Sequence, residues 1–239
     1  MRKHDINNVE TRQVAIPAMF DNISGRYDSI NHFLSFGIDR LWRRKFVSLI
    51  KADNSGFIVD VATGTAEIPL LITNSNCSIV AVDPAEHMLE IAAAKIASAN
   101  RNNIKLIEAP AESIPLQSDI ADIVSVSFGL RNFNNPTKGL SELYRITKKG
   151  GRCLILEFNL PKNRIVRNLY VFYLTGVLPV IGGLFSGNIS AYRYLHNSIV
   201  SFAMQYRVPQ ELKKAGFSHV HQVNMTLGVV SIYIAEKPE

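Results

Sequence analysis

Two aspartates at the ends of apolar runs are the first residues equipped for chemistry. In GFIVDVA the run closes on Asp60, and in SIVAVD it closes on Asp83, 23 residues later. An acid at the second of these places can accept two hydrogen bonds from ribose hydroxyls. Between them, ATGTAE makes a tight turn around one glycine, Gly64. A residue without Cβ lets the backbone approach a ligand closely. The dinucleotide fingerprint would need two further glycines, the first where Ala66 stands, and a pyrophosphate on the helix that follows. Its absence argues against a pyrophosphate and leaves room for a smaller nucleoside ligand. Each signal also has a structural reading: a lone glycine can simply turn the chain, and a strand-end Asp can cap a helix.

The elements that would position these residues alternate regularly. GFIVDVA, SIVAVD, IKLIEA, ADIVSVSFG and GRCLILEF are short runs rich in β-branched residues. Helix-like stretches separate most of them, such as AEHMLEIAAAKIASAN with apolar residues at 88, 89, 92, 93 and 96. Such alternation predicts an α/β fold with a mostly parallel sheet covered by helices on both faces. The tail VPQELKKAGFSHVHQVNMTLGVVSIYIAEKP reads as helix, strand, turn, strand, an antiparallel end to that sheet. A parallel sheet of this kind binds ligands outside the carboxyl ends of its strands. EAPAESIPL after the third run and SFGLRNF after the fourth bring two more loops to that edge. Before the sheet, residues 1–55 read as a helical cap, with candidate helices at about 15–24, 28–36 and 38–51 and Trp42 on an apolar stripe. The main domain covers 56–239, with an apolar helical insertion at about 161–206.

Charge is unevenly spread. Residues 1–55 carry nine Lys and Arg against six acids, residues 56–160 nine against eleven, and residues 161–239 eight against three. A mildly acidic middle suits a cationic ligand, and basic flanks suit an anionic surface, although plain solubility explains the same balance. With a ribose, no phosphate and a positive sulfonium, S-adenosyl-L-methionine fits the middle segment better than a dinucleotide. Cys77 and Cys153 lack metal spacing and read as free buried thiols of a reducing compartment. The N-terminal MRKHDINNVETRQ has no apolar signal-peptide region. Residues 168–192 hold no charge. They are long enough to span a bilayer, but Pro179 and Gly182-Gly183 interrupt them, so a buried helix pair and an apolar lid are competing readings.

Three stretches carry a resemblance. MFDNISGRYDSINHFLSFGIDRLWRR, SFGLRNFNNPTKGLSELYRITKKGGRCLILEFNLP and SAYRYLHNSI resemble signatures of the ubiquinone/menaquinone biosynthesis C-methyltransferases, within the class I S-adenosyl-L-methionine-dependent methyltransferases. The resemblance runs from about Met19 to Lys237. The chain departs from the family pattern in four places. Ala66 and Glu67 stand in a Gly-Thr-Gly-Asp segment, the family's His near Asp39 is missing, Pro110 replaces an Asp or Asn, and Leu227 replaces a glycine.

The resemblance implies a class I methyltransferase sheet and methylation of a ring carbon of a reduced polyprenyl quinone precursor, demethylmenaquinol or its ubiquinol equivalent. Cofactor positions carried over by it are Asp60, Ala62, Gly64, Thr65, Asp83, Pro110, Ala111 and Ser127, with Asp83 on the ribose and Thr65 near the amino-acid part. Tyr27 and Asp28 are placed to close over the cofactor and supply an acid-base group, or to cap and pack. Arg131 cannot act as a base, since it stays charged; with Asn132 it is placed to polarise a hydroxyl or water at the acceptor, or to bind loop carbonyls. Asn31 and Tyr192 are assigned to the substrate. His32, His87 and His196 are weak candidates for a base, and no metal is expected. The expected partners are a polyprenyl hydroquinone and a membrane surface met reversibly by a cytoplasmic protein, and no nucleic acid. A homodimer and a quinone-biosynthesis complex stay open. Three alternatives are another small phenol or lipid as acceptor, a cofactor-binding regulator without catalysis, and a nucleic-acid binder suggested by the basic pI.

Overall fold

The computed structural model describes residues 32, 35, 37–51, 56–73, 76–180 and 189–239. Helix α1 (Asp39–Lys51) leads into β1 (Phe57–Val61), α2 (Glu67–Leu71), β2 (Ser78–Asp83), α3 (Glu86–Ser98) and β3 (Ile104–Glu108). Then come β4 (Ala121–Ser127), α4 (Pro136–Ile146) and β5 (Thr147–Phe158). After them lie α5 (Arg164–Phe172), a π-helical turn (Tyr173–Val177) and α6 (Ile189–Gln205). The chain ends in α7 (Val208–Ala215), β6 (Ser218–Met225) and β7 (Val230–Glu236). The expected helix at 38–51 is α1; that at 15–24 falls outside the described residues, as does that at 28–36 apart from residues 32 and 35.

The strands form one seven-stranded sheet in the order β3-β2-β1-β4-β5-β7-β6. β1 to β5 pair in parallel, and β7 pairs antiparallel with both β5 and β6. This is the class I methyltransferase sheet with the antiparallel end the sequence leads one to expect.

The central strands are buried on both faces, as parallel strands between helical layers must be. Their alternating side chains split into two cores. Val59, Val61, Val124, Val126 and Ile155 pack with Leu140 and Leu143 of α4 and Leu212 of α7. Ile58, Ile79, Ile123 and Leu154 pack with Trp42, Phe46 and Ile50 of α1. Each fully buried Ile or Leu contributes roughly 1.5–3 kcal/mol. A smaller third cluster, Leu174, Leu178 and Ile199, joins the π turn to α6 and touches Phe158 and Tyr170.

Local chemistry fixes the element ends. Asn135 caps α4 by accepting from Lys138 N at 3.0 Å, and Pro136 takes the first turn, where its missing N–H costs nothing. Cys77 and Cys153 are free and buried, and burial pushes the Cys153 thiol up to about 12. Among the described residues no helix is long and apolar enough to cross a membrane.

Candidate functional site

The strand order reverses between β1 and β4, so the chain leaves these neighbouring strands in opposite directions. A crevice opens at such a point at the carboxyl ends of the strands. The loops after β1 and β4 touch there: a Cβ added to Gly129 would lie 2.5 Å from Ala62 Cβ. Gly129 is therefore required by packing.

The turn after β1 is left-handed at every second residue: φ is +54° at Ala62, +57° at Gly64 and +61° at Ala66. Gly64 accepts this freely, while the two alanines carry strain of about 1–2 kcal/mol each. The backbone path of a glycine-rich loop is thus kept although two of its three left-handed places hold alanine. Gly64 N donates to Asp83 Oδ2 at 2.8 Å, and Ala85 N donates to Asp83 Oδ1 at 2.9 Å. Asp83 therefore ties the turn after β1 to the end of β2. It is 7% exposed.

Asp60 lies deeper. Its Oδ1 accepts from Ser125 Oγ at 2.5 Å and its Oδ2 from Thr63 Oγ1 at 2.7 Å. Burial raises its pKa to about 6; the Ser125 and Thr63 bonds and the Arg43 charge pull the other way, and Asp83 adds a small push upward. Thr65 is turned toward α3, where Lys95 Nζ donates to its hydroxyl at 3.0 Å. That hydroxyl is engaged with Lys95, and the Thr65 backbone lines the turn. Pro110 is exposed and Ala111 buried in the loop after β3. Ser127 Oγ, at the end of β4, is buried and makes no hydrogen bond.

Of the two readings of Arg131, the structure shows the bond to a loop carbonyl. Its guanidinium is 4% exposed and pairs with fully buried Glu157 at 2.7 Å. It also donates to the Phe128 carbonyl and lies over the Phe158 ring, 5.2 Å from the centroid. These partners and its burial place Arg131 beneath the crevice as a positioning group, instead of presenting it to an acceptor hydroxyl. Asn132, the next residue, accepts from Tyr194 Oη at 3.2 Å. Tyr194 was missed in the sequence although it stands two residues after Tyr192, whose side chain lies outside the described residues. Tyr27, Asp28 and Asn31 also lie outside them. His32 hydrogen-bonds Asp39 through Nδ1 and accepts from Arg40 at Nε2, so both ring nitrogens are engaged.

Two further features had no local sequence signal. Trp42, Phe128 and Phe158 form an aromatic cluster under the crevice, and Trp42 Nε1 donates to Thr226 Oγ1 at 2.7 Å, joining α1 to the β6–β7 turn. Tyr170, on α5, has a buried hydroxyl with no hydrogen-bond partner. Burial pushes that phenol far up, and the charges of Arg131 and Glu157 act on it in opposite directions.

A model of the ubiE/COQ5 methyltransferase family matches residues 7–237. The chain belongs to that family. It is a methyltransferase, and its methyl donor is S-adenosyl-L-methionine. A Geotalea daltonii protein named "Ubiquinone/menaquinone biosynthesis C-methyltransferase UbiE" is 43% identical over 93% of this chain and 96% of its own length. A Thermus thermophilus "Demethylmenaquinone methyltransferase" is 38% identical over 92% of this chain and 100% of its own. A SAM-dependent methyltransferase structure from Thermotoga maritima shares the fold, with a TM-score of 0.64, 17% identity, and coverage of 93% and 99%.

The crevice fits this donor. It offers a left-handed turn whose added Cβ at Gly64 would meet nothing within 4 Å, an acid fixed at the end of β2, and the unbonded Ser127 hydroxyl. Among the described residues no group of three or more His, Cys, Asp or Glu could hold a metal.

Proposed function

We propose that this methyltransferase alkylates a ring carbon of a reduced polyprenyl quinone precursor, demethylmenaquinol or the equivalent ubiquinol precursor, in respiratory quinone biosynthesis. One observation carries the reading. The end of β5, at Phe158, is covered by a separate apolar cluster of Leu174, Leu178 and Ile199, packed with Tyr170, Tyr173 and Leu195. A phenolic hydroxyl with no partner is enclosed beside it. An apolar cover with one polar contact suits an aromatic ring bearing an oxygen and a long hydrocarbon tail. The names of the relatives point the same way.

When bound, S-adenosyl-L-methionine supplies an electrophilic methyl group. The chain's residues have the remaining tasks. Asp83, already fixed by two backbone N–H groups, receives the ribose hydroxyls, and Ser127 and the Gly64 turn line the rest of the donor site. Asn132, oriented by Tyr194 and by the Arg131–Glu157 pair beneath it, and Tyr170 hold the acceptor's ring oxygens. Holding an electron-rich ring in line with the methyl group is chiefly a matter of proximity and orientation. Residues 1–55 act as a cap in which Tyr27 and Asp28 serve the donor and Asn31 the acceptor, and the insertion at about 161–206 acts as the acceptor cover. The buried free thiols suit a reducing compartment. The protein is accordingly read as cytoplasmic and meeting its substrate at the membrane surface.

Incubation with the donor and a demethylmenaquinol analogue, followed by mass spectrometry, tests this. The expected product is heavier by one methylene. Equal turnover of a simple catechol without a tail would favour a different acceptor class. Tight donor binding with no transfer to any phenol would favour a regulator.

A further inference from the structure

We infer that the outward face of α5, together with Leu227 beside its first turn, docks the protein on an anionic lipid bilayer. The inference rests on the quinol reading for the reason the protein visits a membrane; the surface itself stands on independent observations.

Ile165, Leu169 and Phe172 are 72%, 65% and 66% exposed. Their spacing of four and three residues puts them on one stripe of the helix. On the inward side, Tyr170 packs against the Leu174, Leu178 and Ile199 cluster. The helix is therefore apolar on both its inward and outward sides. A soluble surface rarely carries such a stripe without a partner.

Leu227 adds to it. It is 78% exposed in the β6–β7 turn and has φ +57°. A leucine held in a left-handed conformation and shown to solvent is costly twice over, and strain of that kind marks functional places. Lys162, Asn163 and Leu227 line one cleft, so the turn lies next to the start of α5.

The charges identify the occupant. Between Glu157 and Glu211 the sequence has no acid, and it has five bases: Lys162, Arg164, Arg167, Arg193 and Arg207. Lys162 and Arg164 are exposed next to the stripe. A second copy of this chain would face these bases with the same bases, which repel. Anionic headgroups complement them, and apolar side chains rimmed by bases have the make-up of an interfacial helix.

The location joins this surface to the site. Phe158 at the end of β5 lies opposite Val230 at the start of β7. The β6–β7 turn and the segment leading into α5 therefore share the sheet edge that bears Asp83 and Ser127. Docking there brings the acceptor cover to the bilayer, so that a quinol can enter without crossing water.

Sedimentation with phosphatidylcholine vesicles, with and without phosphatidylglycerol, tests the proposal on the full-length protein. The variants are Ile165→Ser/Leu169→Ser/Phe172→Ser together, and Lys162→Gln/Arg164→Gln/Arg167→Gln together. Circular dichroism and thermal melting check that each variant folds like the parent. The parent should partition onto phosphatidylglycerol vesicles and be released by salt. The serine variant should lose about tenfold or more of that partitioning. The glutamine variant should lose only the preference for phosphatidylglycerol. A serine variant that sediments like the parent, or a parent that binds neither vesicle, overturns the proposal. So does a parent dimer in sedimentation equilibrium that the serine variant splits, since a second copy would then be the occupant. Vesicle binding as expected with no quinol methylated would sink the functional reading alone.

Discussion

Arg131 Nη1 donates to Glu157 Oε1 at 2.7 Å, and the two side chains are 4% and 0% exposed. Glu157 Oε2 also accepts from Arg131 N at 3.2 Å, while Oε1 accepts from Phe158 N at 2.9 Å. The pair thus locks the loop after β4 to the end of β5 and sets where Asn132 stands. Glu157→Ala would strand a buried guanidinium and should cost about 3–5 kcal/mol in urea unfolding. Replacing both partners, Arg131→Met with Glu157→Leu, should restore much of that stability. It should not restore methyl transfer, because Asn132 loses its support. A double variant as active as the parent would show that the pair serves the fold alone.

Asp60 gives the site a pH dependence of defined sign. Its pKa rises from 3.8 to about 6 on folding, chiefly by burial. The folded state therefore favours the protonated acid, and the stability this brings is complete below pH 3.8 and lost as pH rises through about 6. A shift of about two units corresponds to on the order of 3 kcal/mol. Asp119, Asp122 and Glu142 have lowered pKa values and act in the opposite sense at lower pH. Asp60→Asn should therefore flatten the stability curve between pH 3.8 and about 6 while weakening donor binding. Thermal melts across pH, with calorimetric titration of the donor, check both parts. Parallel curves for the two proteins would contradict the Asp60 assignment.

Gly64 separates ligand binding from folding. With φ +57° and nothing within 4 Å of an added Cβ, Gly64→Ala meets no clash and carries only the conformational cost, about 1–2 kcal/mol. The added methyl would occupy the open space above the turn. Donor affinity should then fall by about tenfold or more, beyond what the loss of stability explains. Calorimetry at a temperature where both proteins are fully folded decides it. Unchanged affinity would place the donor elsewhere.

The sheet was legible because short β-branched runs closed by Asp60, Asp83 and Ser127 alternate with helix-like stretches. β5 was less so. It begins at Thr147, four residues before the GRCLILEF run, because Thr147 pairs with Ala121 across an irregular register. The turn after β1 was read as short of glycines. Alanine at φ +54° and +61° carries no sequence mark of the conformation it adopts. The partner of Arg131 stands 26 residues away on another strand, a relation set by the fold and by no local pattern. Tyr170 and Tyr194 stand within three residues of other tyrosines, Tyr173 and Tyr192, and composition alone cannot choose which one turns inward.

Leu227 should show opposed effects on stability and on membrane contact. Glycine takes φ +57° freely, and the leucine side chain at 78% exposure contributes little packing. Leu227→Gly should raise stability by about 1 kcal/mol by removing left-handed strain. It should also reduce partitioning onto anionic vesicles. Denaturant unfolding and vesicle sedimentation on one preparation give both values. A loss of stability would mean that Leu227 packs in a way its exposure does not suggest.

Tyr170 allows a similar separation at the acceptor. Its hydroxyl is buried and makes no hydrogen bond, so it lowers the stability of the free protein. Tyr170→Phe deletes only that oxygen. If the hydroxyl served the fold, the variant would be less stable. With no partner to lose, it should instead be as stable as the parent or more so by up to about 1 kcal/mol. The phenol's raised pKa keeps it neutral at working pH, able to donate one hydrogen bond to a ring oxygen. Turnover of a quinol should therefore fall by about tenfold or more in Tyr170→Phe, the loss of one enclosed hydrogen bond. An acceptor lacking the oxygen that Tyr170 contacts should react equally with both proteins. Steady-state kinetics on the two acceptors, beside denaturant unfolding, completes the cycle. A variant that is destabilised, or that loses activity equally on both acceptors, would remove Tyr170 from the acceptor site.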